Sequence, residues 1–597
     1  MPPSPIRPTP SVYVLEHPTP PTTPTTPTAL TAFVGRTAMG PVDTPVRIQS
    51  PGDFAATFGG AWAESELPGA LQDFFDNGGT DAIVVRLFAS PGDAEALHLD
   101  QPVGAPIPAN ARPDGCARVG IGPAPPVGDT PTPSPPPYAG VPSITLVAAN
   151  PGSWGNRISA RIDPAGTLAP GGAPDGSTAE TFDLSLTFAP SDPEQVAVTE
   201  SFPGVTLAEA GGAQRLDRVL AATSRLASWE FVADVDPGFL ASWQAARTAM
   251  QHDPKAVFQT ALPTGAGGSD GYHLQSPLCF TSPALQATHG GIYALDGVEQ
   301  IDLLVLPRDR PDADNPLTYA DVFAYVERRK AFWILESPLD PKLSFAPALL
   351  DGSPPATGLI DAAFDTPGLA GRNAAVYFPD VQILDPLSDG QPRRRGPAGM
   401  VAGICARTDD RSGVWQSPAG QYAALQGVVG PALDDGTVAG KLVSLTNAQC
   451  STANEVGIDC LMTFPTLGSV VWGARTLRGA TALDDPFQYV SVRRLTLWID
   501  KAVEASTRWA VFQPNDAALW SALREQVGAF LDGLWSQGAF MGAIQGDAYF
   551  VQCDASTTTP ADQLAGVLNL VVGFAPVRPA EFTVVQVQLQ VASRETR

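Results

Sequence analysis

The residues most open to a chemical reading run from Gly267 to Gly271, where Gly267-Gly268-Ser269-Asp270-Gly271 fits the G-x-S-x-G pattern of a serine nucleophile. That chemistry needs a strand before the serine and a helix after it, so that the hydroxyl is thrown out on a tight turn. Leu262-Pro263-Thr264-Gly265-Ala266 reads as loop instead, and nothing around His252, His273 or His289 would hold an imidazole as base. Ser269 is expected in a flexible turn between domains, with a Ser269 hydrolase kept as the enzyme alternative. Gly436–Lys441 (GTVAGK) imitates a phosphate-binding loop but is one residue short, and Leu442 stands where a Ser or Thr would hold magnesium. Asp409-Asp410-Arg411 and Asp484-Asp485 pair carboxylates with no second cluster to complete a site, so both are expected as solvated turns. No catalytic residue, cofactor or metal site is expected.

Arg393-Arg394-Arg395 is the one dense basic run, expected as a solvated loop and kept as a candidate docking surface. Arg493-Arg494 is the second basic candidate for a partner-facing patch. Trp154, Trp415, Trp472, Trp509 and Trp535 lie beside glycine or in apolar faces and are expected in cores. Six scattered cysteines with no C-x-x-C are expected as reduced thiols.

Positioning any of these takes several domains. At 597 residues, roughly three or four units of about 150 residues are expected. The balance of 36 Lys+Arg against 61 Asp+Glu, net −25, excludes nonspecific nucleic-acid binding and binding to anionic membranes, which need basic surface. No apolar run of about 18 residues could span a bilayer, and MPPSPIRPTP lacks a signal-peptide core, so folding in a cytoplasm is expected.

Along the chain, Leu30–Gly35 and Ala82–Leu87 read as buried strands and Leu67–Phe75 as a helix closed by Asn77-Gly78-Gly79. Residues 91–140 are expected as a Pro-rich linker or insertion. Ile144–Ala148, Ile158–Ile162 and Phe182–Phe188 carry strand patterns in a β-rich domain, 141–265, with a helix over Leu216–Leu226. Within 270–428, Ile301–Leu306, Ala331–Leu335 and Ala374–Phe378 alternate with a helix through Val322–Arg329, which predicts a helix-covered sheet. Further on, Val492, Leu495, Ile499 and Val503 share a helix face, and Trp509–Phe512 reads as a strand. Asn515 or Asp516 then caps a helix carrying Leu519, Leu523, Val527, Phe530 and Leu534. Strands follow at Ala548–Gln552 and Val567–Phe574.

The two ends have a different character. Val585, Val587, Leu589 and Val591 alternate with Gln586, Gln588 and Gln590, the period of a half-buried strand. Ser11–Glu16, with Val12, Tyr13, Val14 and Leu15, is a second short strand-prone run, held off by a spacer, His17–Thr28, of five prolines and six threonines. Both ends read as arms that another sheet must receive, which favours a building block over a catalyst.

Ordered motifs carry a family resemblance. They are AFVGRTAMGPVDTPVRIQSPGDFAATFGG (Ala32–Gly60), FFDNGGTDAIVVRL (Phe74–Leu87), ANPGSWGNRI (Ala149–Ile158) and AGICARTDDRSGVWQSPAG (Ala402–Gly420). VGIDCLMTFPTLGSVVWGARTL (Val456–Leu477), YVSVRRLTLWID (Tyr489–Asp500), RWAVFQPND (Arg508–Asp516) and FAPVRPAEF (Phe574–Phe582) complete the set. Together they resemble contractile tail sheath proteins of phage tails, tailocins and extracellular contractile injection systems, departing at Pro392–Gly396 and at the insertion 91–140.

The resemblance implies an α/β and α+β multidomain protein. Its parts would be an arm and linker (1–28), the start of the body (29–90), the insertion (91–140), the β-rich domain (141–265), a subtilisin-like α/β sheath domain without protease chemistry (270–428), a C-terminal sheath domain (429–580) and a C-terminal arm (581–597). It implies that Val12, Tyr13, Val14, Leu15, Phe582, Val585, Val587, Leu589 and Val591 add strands to neighbouring copies. The implied partners are further copies in stacked, hexameric rings, an inner tube, baseplate and terminator or cap proteins, and sheath paralogues. Arg493, Arg494, Arg393, Arg394 and Arg395 are candidates to face the tube or another partner. Assembly in a bacterial cytoplasm and maturation in a phage-like particle follow, with a noncontractile surface-array protein as the non-enzyme alternative.

Overall fold

The computed structural model describes residues 27–104, 106–107, 111–121, 144–163, 182–190, 197–206, 209–229, 258–259, 267–340, 342–353, 355–356, 358–365, 367–433 and 440–580. The chain divides into two compact units: 29–412 with 417–490, and 413–416 with 491–597 and the residues up to Thr28. The fold is a mixed α/β, multidomain one.

The larger unit is built on an eight-stranded sheet. Its strands run, edge to edge, Gly468–Val471, Ile458–Phe464, Ala374–Phe378, Phe332–Glu336, Leu303–Val305, Thr31–Gly35, Ala82–Arg86 and Pro45–Ile48. The six inner strands are parallel and the two edge strands antiparallel to their neighbours. Parallel strands are covered on both faces, so their sequences read as unbroken apolar runs. That is why TAFVG, AIVVR and AAVYF are buried at every position. Helix Ala398–Ser412 crosses helix Leu67–Asp76 closely enough that a Cβ on Gly399 would run into the Ala70 carbonyl, and one on Gly403 into that of Phe74. The AGMVAGI segment is therefore small where backbones meet.

Two antiparallel sheets make the β-rich part: Phe258–Gln259, Ile158–Asp163, Phe182–Phe188 and Val198–Val205; and Arg118–Ile121, Ile144–Ala148 and Ala227–Trp229. Phe182, Leu184, Leu186 and Phe188 face inward with Trp154 and Leu216. A third antiparallel sheet carries Gln391–Arg395, Asp380–Asp385, Val428–Leu433 and Lys441–Leu442.

In the smaller unit, Leu495, Trp498 and Ile499 pack on Val527, Leu531 and Leu534 of helix Ala517–Ser536. Asp516 caps that helix, its carboxylate accepting from the amides of Ala518 and Leu519 at 3.0 Å each. An antiparallel ladder of Tyr549–Gln552 with Val571–Phe574 completes the unit.

Several expectations need correction. The stretch from 91 is not simply a linker: a 3-10 turn at Pro91–Asp93, helix Ala94–Leu97 and strand Arg118–Ile121 are ordered because Leu99, Val103, Ala117 and Val119 have a core to enter. Residues 122–140 lie outside the described residues. Trp509–Phe512 is not a strand but a 3-10 turn, Arg508–Ala510, followed by Phe512 at φ 67°. The strand Ile458–Phe464, expected in the C-terminal domain 429–580, belongs to the large sheet. The strand over Val567–Phe574 begins only at Val571.

Candidate functional site

The G-x-S-x-G segment does not form a nucleophile elbow, and it is not a loose turn either. Ser269 is buried, its amide donates to Gly115 O at 3.0 Å, and its Oγ accepts from the Gly271 amide at 3.1 Å. Asp270 accepts from the Ser153 amide and hydroxyl at 2.7 Å each, so the segment is pinned to the Trp154 loop. His273 is held, contrary to expectation: its Nδ1 lies 2.8 Å from Asp309 Oδ2, and Asp309 also takes Arg36 Nε at 2.5 Å. Burial raises the Asp309 carboxyl pKa, but Arg36 and His273 outweigh it and leave the group below its ordinary value.

Asp409 is buried within helix Ala398–Ser412 rather than in a solvated turn, and Asp485 is buried against Arg372 at 3.0 Å. Residues 436–439 of the GTVAGK segment lie outside the described residues. Among the described residues no group of His, Cys, Asp and Glu could hold a metal, and no helix is long and apolar enough to cross a membrane. The six cysteines, all among the described residues, form no disulfide. Trp154 is in a core as expected, whereas Trp472 is partly exposed and packs against Phe464 with the rings tilted, their centroids 4.8 Å apart.

Where a parallel α/β sheet would open its ligand crevice, at the carboxyl ends of the strands, this chain places internal ion pairs. Arg308 follows strand Leu303–Val305 and grips Asp380, beyond strand Ala374–Phe378, at 2.9 and 3.2 Å. Glu336, ending the strand between them, lies 3.5 Å from Arg308 Nε. Burial pushes the Glu336 carboxyl up to about 7 against the pull of Arg308. Arg86 closes its own strand and donates to the carbonyls of Thr37, Gly40 and Pro151; burial lowers its pKa to about 9.

The Arg393–Arg395 run joins this system instead of forming a solvated loop. Arg393 pairs with Glu66 and Asp385, Arg395 with Glu66 and Asp73, and Arg394 is buried 3.7 Å from Asp380. A strand with three arginines is tolerable here because helix Leu67–Asp76 presents Asp73, with Glu66 just before it. Arg308, Glu336, Asp380, Arg36 and Arg86 were not singled out from the sequence. The signal was present: each follows or ends an apolar run, as in FVGR, VVR, VLPR, ILE and FPD.

In the smaller unit Arg494 is buried and its Nη2 donates to Thr28 O at 3.1 Å, while Arg493 is half-buried. The distinctive surface there is apolar. Phe512 is fully exposed at 101%, Leu564 is 91% exposed, and Phe550 on the ladder is 53% exposed. Among the described residues the ladder Tyr549–Gln552/Val571–Phe574 has two strands and no third on either outer edge. The arm residues Val12, Tyr13, Val14, Leu15, Phe582, Val585, Val587, Leu589 and Val591 lie outside the described residues.

Comparison with known proteins follows the same division. Residues 483–590 match the family model described as the phage tail sheath C-terminal domain. The tail sheath protein of Vibrio phage KVP40 is 30% identical over 142 residues, 24% of this chain and 19% of that protein. That of Enterobacteria phage T4 is 29% identical over 165 residues, 28% of this chain and 22% of that protein. The chain thus spans less than a quarter of the length of these two relatives. Among solved structures, the anti-feeding prophage helical sheath in its contracted state aligns with 98% of this chain and 99% of its own, with TM-score 0.50 and 18% identity. A sheath tail protein from Listeria innocua aligns over 93% and 96%, with TM-score 0.50 and 12% identity, a likeness of fold. Residues 483–590 thus carry a match to the phage tail sheath C-terminal domain, and the relatives the chain resembles over part of its length are tail sheath proteins.

Proposed function

We propose that this chain is the structural subunit of a contractile sheath, polymerising around an inner tube by exchange of its terminal strands. The observation that carries the reading is the ladder of Tyr549–Gln552 with Val571–Phe574. A two-stranded ladder is marginal by itself, and unpaired edges are templates for added strands. The candidate C-terminal arm begins at 581, a few residues past the end of the Val571–Phe574 strand. It offers Val585, Val587, Leu589 and Val591 on one face. Strand addition would supply main-chain hydrogen bonds from the arm and an apolar face for the acceptor.

A copy that gives arms and receives arms makes a heterologous contact, which propagates into a helical polymer. Contraction is then a change of lattice in which bodies gain contacts while the arms stay joined. The extended form persists kinetically until a baseplate releases it. The energy is stored at assembly, and no nucleotide is consumed. A six-strand parallel core whose crevice is closed by ion pairs supports a subtilisin-like body without protease chemistry. The inner tube, baseplate, cap and sheath paralogues are the partners of this reading. The setting is a phage-like particle, assembled in a bacterial cytoplasm.

Negative-stain microscopy of the purified full chain tests the function directly. Hollow helical tubes are expected; flat ordered sheets or dispersed monomers under assembly conditions would overturn it.

A further inference from the structure

Where the large sheet meets the third antiparallel sheet there is a small cavity, with about 10 Å³ open to the centre of a water-sized sphere. Six of its ten lining residues are charged: Arg308, Arg394 and Arg395 against Glu66, Glu336 and Asp380. None of these six side chains is more than 11% exposed. Separate segments bring them together. Arg308 follows strand Leu303–Val305, Glu336 ends strand Phe332–Glu336, and Asp380 opens the strand Asp380–Asp385. Arg394 and Arg395 lie on Gln391–Arg395, and Glu66 precedes helix Leu67–Asp76.

The hydrogen bonds around the cavity do not all close. Asp380 takes two bonds from Arg308, and Glu66 is held by Arg393 and Arg395. Glu336 takes none among the described residues, and its ion-pair contact is with Arg308 Nε at 3.5 Å. Its carboxylate comes so near Gly396 that a Cβ there would lie 2.0 Å from Oε1. Arg308 has a donor left over. Of the four N–H bonds on Nη1 and Nη2, two go to Asp380 and one to Ser337 O at 2.5 Å, which leaves one on Nη1. A buried carboxylate with no hydrogen bond carries a desolvation cost that a donor in the cavity would offset.

Charge and size decide what that donor is. Three guanidinium groups face three carboxyl groups, so the lining draws in neither a cation nor an anion. Cavities that stay empty are apolar, and one water needs roughly 10–15 Å³ of such space with two to four polar partners. The occupant must be neutral, the size of one heavy atom, and able both to donate and to accept. We propose that the cavity is the binding site of a single water molecule, which donates to the Glu336 carboxylate and accepts from Arg308. The joint between the two sheets is then a hydrated one, in which the water gives Glu336 the hydrogen bond that the chain itself does not supply.

The test is a high-resolution map of the full chain prepared in sodium chloride. One solvent peak is expected in the cavity, roughly 2.5–3.2 Å from a Glu336 carboxylate oxygen and from the Arg308 guanidinium. No peak there, in a map that shows other buried waters, overturns the proposal. Repeating the map in caesium chloride should leave the peak height unchanged; a peak that rises marks a cation and overturns the proposal as well. Glu336→Leu removes the acceptor and should abolish the peak, while Glu336→Gln keeps an acceptor oxygen and should retain it. A peak that survives Glu336→Leu overturns the assignment of Glu336 as the group that holds the water. Should Glu336→Leu fail to fold, the two maps of the unaltered chain still decide.

Discussion

Arg308 and Asp380 form a two-pronged ion pair over the end of an intervening strand, with Nη1 2.9 Å from Oδ2 and Nη2 3.2 Å from Oδ1. Both are buried, at 5% and 4% exposure, and Glu336 at the end of the strand between them sits beside the same guanidinium. Asp380 opens the strand that leads to Arg393–Arg395, so the pair couples the large sheet to the third antiparallel sheet. Arg308→Ala leaves two buried carboxylates without their main cation, and breaking a buried pair from one side costs about 3–5 kcal/mol. Urea denaturation should show a loss of that order, with Arg308→Lys losing less because the charge remains.

The same cluster sets a pH dependence. Glu336 is raised from 4.5 to about 7, chiefly by burial, so the folded chain binds its proton more tightly than the unfolded chain. Its contribution to stability is therefore greatest below pH 4.5 and declines as pH rises through about 7. Glu336→Gln keeps a neutral side chain throughout. The stability of wild type minus variant should fall across this window by something on the order of 3 kcal/mol and then level off. Asp73, raised to about 6 by burial, should give a narrower version with Asp73→Asn. Denaturation midpoints at half-unit pH steps would show both slopes.

Ser269 serves the local structure by accepting the Gly271 amide. Ser269→Ala should cost about 0.5–1.5 kcal/mol and leave assembly intact. Loss of a measurable esterase activity in the variant would instead revive the hydrolase alternative.

Phe512, fully exposed beside Val511, contributes nothing to its own core. Exposed large apolar side chains in a cluster mark interaction surfaces. Phe512→Ser should shift folding stability by no more than about 0.5 kcal/mol, yet raise the concentration needed for polymerisation severalfold in a light-scattering assay.

Most of the large sheet was legible because its strands are buried on both faces. Runs such as AFVG, AIVV and AAVYF admit few other structures, and Asp516 announces the helix it caps. Trp509–Phe512 misled because an apolar run of four can as well be a turn whose side chains face outward, as Phe512 does. The arginine run misled for the opposite reason: only the fold brings Glu66 and Asp73 to it from more than 300 residues away in sequence. Ser269 looked loose because it sits among glycines, yet Gly115, which accepts its amide, and Ser153, which donates to its neighbour Asp270, come from distant segments.

The most direct test of strand exchange is electron microscopy of two truncations, one lacking residues 11–28 and one ending before Glu581. Both should yield folded chains, with circular dichroism and unfolding transitions close to those of the full chain, and neither should form tubes. Tubes of normal diameter and length from both truncations would contradict the account.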